Sequence, residues 1–140
     1  MANQDDLGRS PSGLEENLKK ALTEMLILAI FSKRDYFIGE LAGEIQRISK
    51  GALSIVFPYG VIYRMSKAGY VSESKKCTAP DGRLRQYYRI TESGRDYLLQ
   101  LVDVYNRFSM GVDNIIQDTV GGYDKGLEYI QEGSKGFLKM

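Results

Sequence analysis

"SKKCTAPDGRLRQYYRITESG", residues 74–94, decides the reading of this chain. Asp81-Gly82 is a turn signal, because glycine enters the left-handed backbone of a tight reversal without a Cβ penalty. "YVSESKKC", 70–77, leads into the turn as one strand, and "RQYYRI", 85–90, returns as a second. Alternation predicts Tyr88 and Ile90 on one face and Tyr87 and Arg89 on the other. Thr91 then reads as the N-cap of a new helix, with Glu92 complementing its dipole. A lone hairpin is barely stable in water, so this one must lean on helices.

Those helices lie upstream. Residues 1–13 read as a flexible leader. From Leu14 to residue 31 apolar positions recur at helical spacing (Leu14, Leu18, Ala21, Leu22, Met25, Leu26, Ala29), and "MLILAIF", 25–31, is apolar all round. A second helix is expected over Ile38–Ile48, with Ile38, Leu41, Ala42, Ile45 and Ile48 facing inward. Gly39 and Gly43 lower its propensity, which suggests close approach of a neighbouring backbone. Gly51 ends it. A third helix is expected over 54–68, capped by Ser54 and accepting Pro58 in its first turn. Ile62 and Met65 face inward, Tyr59, Tyr63, Arg64 and Lys67 face outward, and Gly69 closes the helix. Three helices followed by a basic hairpin make a mainly α (α+β) fold, a winged helix-turn-helix domain over 14–91.

Charge supports that reading. Residues 50–95 hold nine Lys/Arg against Glu73, Asp81 and Glu92, a local +6 within a chain of net +1. One basic region between acidic flanks suits a face that meets a polyanion. The third helix would enter the major groove of double-stranded DNA, and Lys75, Lys76, Arg83 and Arg85 of the wing would lie near phosphates. Tyr87 and Arg89 would orient the wing. An outward helix face of apolar character would point instead to a protein-binding adaptor without specific DNA binding, and Phe57 and Tyr59 hint at one.

Other chemistry is poorly supplied. The chain has no histidine and one cysteine, Cys77. It therefore lacks the commonest general base and metal ligand, and no intramolecular disulfide can form. Glu40 and Glu44 stand at helical spacing, which reads as a solvated helix face rather than an acid/base pair. No catalytic residue, metal site or cofactor is expected. The apolar run at 25–31 is far short of the about 20 residues a membrane span needs. A cytoplasmic protein that is not an enzyme and has no membrane partner is the expectation.

From Glu92 to about residue 119 the pattern is helical again. Leu98, Leu101, Tyr105, Phe108, Val112 and Ile115 are spaced 3, 4, 3, 4, 3, the seam of a coiled coil. About 28 residues span about 42 Å, more than a small domain can cover, so the helix is expected to dimerise the chain and present two recognition helices to half-sites one DNA turn apart. Residues 120–140 open on Gly-Gly, and Tyr123, Leu127 and Ile130 suit a short helix before a frayed tail.

The chain resembles the PadR family of bacterial transcriptional regulators from about Leu22 to Ile116. "QYYRITESGRDYL" is similar to that family's passage from wing strand into C-terminal helix, with Tyr87, Tyr88, Arg89, Thr91, Glu92 and Gly94 in place. Leu53, Ser54, Tyr59, Arg64 and Gly69 match the recognition-helix segment, and "LTEMLILAIF", 22–31, resembles the first helix. The family often has Pro-Gly-Thr after the serine and proline after the tyrosine, where this chain has "IVF" and Gly60. Its His-Gly-Tyr turn is Phe37-Ile38-Gly39 here. The resemblance implies a dimeric winged-helix repressor that responds to small aromatic or cationic compounds. In the smaller subfamily an aromatic residue midway along the last helix lines a ligand space at the dimer axis; Tyr105 matches it, with Phe108 beside it.

Overall fold

The computed structural model describes residues 10–56 and 59–120. Helix α1 runs Pro11–Phe31. It starts earlier than expected, because Ser10 and Pro11 are an adjacent cap and first-turn proline. The Ser10 hydroxyl accepts the Gly13 N–H at 2.9 Å, and Pro11 lacks only a donor that would be unpaired there. The expected leader is thus helical from residue 11 on; residues 1–9 lie outside the described residues. The apolar end of α1 supplies the middle of the core through Ile27, Leu28, Ile30 and Phe31. Leu14 and Leu18, at the start of the stripe, are exposed.

The chain divides into two units, Met1–Leu98 and Leu99–Met140. In the first, strand β1 (Tyr36–Phe37) and a 3-10 turn (Ile38–Glu40) lead into α2 (Leu41–Ile48). Strands β2 (Val71–Thr78) and β3 (Leu84–Ile90) form the hairpin. The sheet is antiparallel in the order β1-β3-β2, so the expected two-stranded hairpin is a three-stranded sheet. Tyr36 pairs with Tyr88 and Phe37 with Tyr87. Covering one edge of β3 with β1 satisfies backbone groups that a bare hairpin would leave open.

Two expectations about α2 fail. Ile48 is exposed, beyond the reach of the core that takes Leu41 and Ile45. No backbone crowds the glycines either: a Cβ on Gly43 would meet nothing within 4 Å, and one on Gly39 would meet the Phe37 ring at 3.0 Å.

A polar relay fixes α2 to the sheet. The Tyr36 hydroxyl, on a fully buried ring, donates to Glu44 at 2.6 Å. Glu44 also accepts from Arg47 Nε at 2.7 Å and Nη2 at 3.1 Å. The Arg34 guanidinium lies 3.7 Å from the Tyr36 ring centroid, and Phe31 meets the same ring edge-on at 6.1 Å. Burial, then the bond to Glu44, pushes the Tyr36 phenol up to about 12. The bonds from Arg47 and Tyr36 hold Glu44 down at about 2, against an ordinary 4.5. Because the folded value is the lower one, this stabilisation is complete above pH 4.5 and fades as pH falls toward 2. Acid titration of the fold should show a loss of about 1–2 kcal/mol in that window, discounted for the exposure of Arg47. Glu44→Gln should be less stable at pH 7 and lack this component; an identical acid profile in the variant would refute the assignment.

Helix α2 ends on Lys50 (φ 56°) and Gly51 (φ 82°), with Gly51 N–H bonded to the Gln46 carbonyl at 2.8 Å. The recognition helix α3 is Tyr59–Lys67, so it starts later than expected and Ser54 does not cap it. Ile55 is buried, which anchors the 53–56 stretch to the core in a non-helical course. Pro58 also disfavours helical backbone at the residue before it, which opposes a helix begun at Ser54. Phe57 and Pro58 themselves lie outside the described residues. Val61, Ile62 and Met65 seat α3 in the core, and Gly69 (φ 85°) ends it as expected.

Helix α4 is Glu92–Thr119. Its cap joins it to the end of α3. The Thr91 hydroxyl accepts the Gly94 N–H at 3.0 Å and donates to the Gly69 carbonyl, which Ser93 Oγ also reaches at 2.9 Å. Tyr70 stacks on Tyr97 at 4.3 Å. In the second unit α4 continues through Gly111 to Thr119, and a Cβ on Gly111 would meet nothing within 4 Å. The short helix expected near Tyr123, Leu127 and Ile130 lies outside the described residues.

Candidate nucleic-acid interface

Helix α3 turns one face outward. Tyr59 is 69% and Tyr63 63% exposed, and Arg64 and Lys67 are exposed beside them. Three of nine positions hold the helix to the core (Val61, Ile62, Met65), which leaves this face free of a packing role. Lys67 Nζ lies 5.4 Å from the Tyr63 ring centroid, a loose contact that keeps the ammonium at the surface. The face mixes aromatic and cationic groups and is not the purely apolar surface an adaptor would present.

The wing tip is built by its turn. Ala79 N–H donates to the Arg83 carbonyl at 2.8 Å, Gly82 N–H donates to the Ala79 carbonyl at 2.9 Å, and Gly82 has φ 84°. Pro80-Asp81-Gly82 thus forms a three-residue loop, a type I turn completed by a left-handed glycine. Asp81 Oδ1 accepts the Arg83 N–H at 3.0 Å, and Asp81 Oδ2 pairs with Arg85 at 2.6 Å. These bonds, the Arg85 contact first, hold Asp81 below the usual carboxylate range. Arg83 is exposed at the tip.

The register shifts between Glu73 and Lys76, placing one extra residue of β2 opposite Tyr87. Such a bulge re-aims side chains. Lys75 and Lys76 are both exposed, although strict alternation would put adjacent residues on opposite faces. Lys75 Nζ lies 5.2 Å from the Tyr87 ring centroid.

Three residues of β3, Arg85 expected near phosphate and Tyr87 and Arg89 expected to orient the wing, make contacts within the protein. Tyr87 is buried and meets Phe37 edge-on at 5.5 Å, so it props the wing from inside and offers no surface to a groove. Burial raises its phenol above the ordinary value. Arg85 is tied to Asp81 and lies 5.0 Å from the Phe37 ring centroid, so its charge is largely spent within the wing. Arg89 points to Asp35, 3.8 Å away, near the other end of β3. Ser54 is exposed in the stretch before α3. The exposed cations Arg64, Lys67, Lys75, Lys76 and Arg83 have no ion-pair partner among the described residues. Sequence reasoning missed Tyr36, Phe37 and the Glu44 relay, since a two-residue strand has no period to detect.

An amphipathic helix seated by three apolar residues, presented beside a three-stranded sheet with a basic tip, defines a winged helix-turn-helix protein, and a long C-terminal helix follows it. The transcriptional regulator PadR-like family matches over residues 27–100, more than half of the chain. The chain belongs to that family, and it is a DNA-binding transcriptional regulator. A PadR-like transcriptional regulator from Bacillus cereus is 25% identical with a TM-score of 0.61, covering 72% of this chain and 97% of that one. The smu.1704 protein from Streptococcus mutans is 32% identical with a TM-score of 0.58, over 69% of this chain and 87% of that one. A PadR family regulator from Eggerthella lenta shares the fold at 18% identity and a TM-score of 0.61, over 80% of this chain and 94% of that one. No protein of curated function matches the chain. Among the described residues no helix is long and apolar enough to cross a membrane.

Proposed function

We propose that the chain is a repressor that holds promoter DNA as a homodimer and releases it on binding a small aromatic compound. The observation that carries DNA reading is the outward face of α3, where Tyr59, Tyr63, Arg64 and Lys67 stand exposed without a packing role, flanked by Lys75, Lys76 and Arg83 of the wing. In this reading the tyrosines meet base edges and sugar while the cations neutralise phosphates. Tyr87 and Arg85 act at one remove, by holding the wing in shape. Repression is the outcome that occupancy of a promoter produces unaided.

Dimerisation rests on the second unit. Along α4, Tyr105 is 42%, Phe108 72%, Val112 38% and Ile115 66% exposed. A stripe of this length and spacing suits the same stripe on a second copy. Tyr105, with Phe108 one turn on, offers a flat face and a hydroxyl to an aromatic effector.

One titration series tests the reading. Operator affinity, measured against salt, should follow a logarithmic slope of about −0.9 per phosphate neutralised. Arg64→Ala should weaken affinity and reduce the slope by about one per protomer. Arg85→Ala should leave the slope nearly unchanged, since Asp81 already offsets that charge. A planar aromatic compound added to the same titration should release DNA from the wild type and not from Tyr105→Ala. Retention of affinity and slope in Arg64→Ala would remove α3 from the interface.

A further inference from the structure

The first unit carries a second cationic feature that does not depend on the DNA-reading face. A cleft of about 190 Å³ opens between the C-terminal end of α1, the approach to β1, the end of β3 and the first turn of α4. Lys33, Arg34, Arg89 and Arg95 line it, and Asp35 is the one carboxylate among its lining residues, so the lining carries a net +3. Phe31 and Ile90, both buried, complete the lining from the core.

The charges are only partly offset. Arg89 Nη2 lies 3.8 Å from Asp35 Oδ2. Arg34 Nη1 donates to the Asp35 carbonyl oxygen at 2.8 Å, and its Nη2 lies 3.5 Å from Glu40. Lys33 and Arg95 have no ion-pair partner among the described residues. Arg95 also stands in the first turn of α4, where the helix dipole disfavours a cation. Four like charges drawn from three segments, the α1–β1 loop, β3 and α4, repel one another around one concavity unless an anion joins them. Guanidinium forks match tetrahedral oxyanions in geometry as well as charge, and an ammonium adds a point contact. A cleft of this volume admits a phosphate with a small substituent.

We propose that this cleft binds a phosphate group presented by a small phosphorylated molecule. DNA is the other source of the same chemistry. About 17 Å of strand separates Arg89 from Leu84 at the wing tip, which places the cleft toward the base of the domain rather than at the tip.

Thermal unfolding of the full chain, with inorganic phosphate replacing chloride at constant ionic strength, tests the proposal. The wild-type Tm should rise by about 3 °C at saturating phosphate. Arg95→Gln and Lys33→Gln, both exposed positions, should each lose most of that rise, while Lys75→Gln on the wing keeps it. A second arm follows operator affinity against salt. An unchanged slope in Arg95→Gln, together with the lost phosphate response, supports a small phosphorylated ligand. A slope reduced by about one per protomer supports the same site with DNA as the phosphate source. The proposal is overturned if the slope is unchanged and phosphate either has no effect on the wild type or shifts all variants equally.

Discussion

Gly94→Ala is expected to destabilise the protein by about 3–4 kcal/mol, which lowers Tm by about 12–15 °C. A Cβ at this position would sit 2.1 Å from the Tyr70 carbonyl oxygen and 2.9 Å from Ile90 Cγ1. The first neighbour is backbone and cannot rotate away. Nor can it retreat, because the same oxygen accepts the Thr91 N–H at 3.0 Å. The helix start would have to lift off, breaking the bonds from Thr91 and Ser93 to Gly69 and with them the link between α4 and the end of α3. Operator affinity should therefore fall as well. Gly43→Ala is the internal control. It is a helical glycine with open space around its Cα, so alanine there should stabilise by about 0.5–1 kcal/mol. Equal small effects from the two substitutions, read by thermal or chemical unfolding, would show that the contact at Tyr70 is not tight.

The second large effect is expected from Leu101→Glu combined with Phe108→Glu. If α4 pairs with a second copy, the two changes place four carboxylates in one apolar seam per dimer, and burying them unpaired is prohibitive. Sedimentation should then report monomers. Operator affinity should drop by at least about 100-fold, since two tethered reading heads gain that much from effective concentration alone. The far-ultraviolet circular dichroism spectrum should stay close to that of the wild type, because Phe108 is exposed in the single chain. A double variant that still sediments as a dimer would place the interface elsewhere.

Much of the fold is legible in the sequence. The hairpin around Asp81-Gly82, the cap at Thr91, the closing Gly69 and the long helix through Ile115 stand where local chemistry put them, because each is set by residues within a few positions of one another. The errors have the same local origin. Serine plus proline suggests a helix start at Ser54 and Pro58, but these are four apart. The working instance was Ser10-Pro11, where the two are adjacent and can serve as cap and first residue together. Alternation expects Tyr87 and Ile90 on opposite faces of β3, yet both are buried, since Phe37 covers Tyr87, and in β2 an inserted residue resets the period.

Composition and spacing alone determined that this chain carries a helix-rich domain, a charged hairpin and a long amphipathic rod, because periodicity and turn chemistry act over a few residues. Only the tertiary structure decided what each basic residue does. Arg64 and Arg83 stand free at the surface, Arg85 is neutralised by Asp81, and Arg89 is carried to a cleft near the other end of its strand. Two arginines four apart on one strand look alike in a sequence. Their roles differ because Asp81, Phe37 and Asp35 reach them through the turn and through the third strand, and contacts of that kind have no local signal.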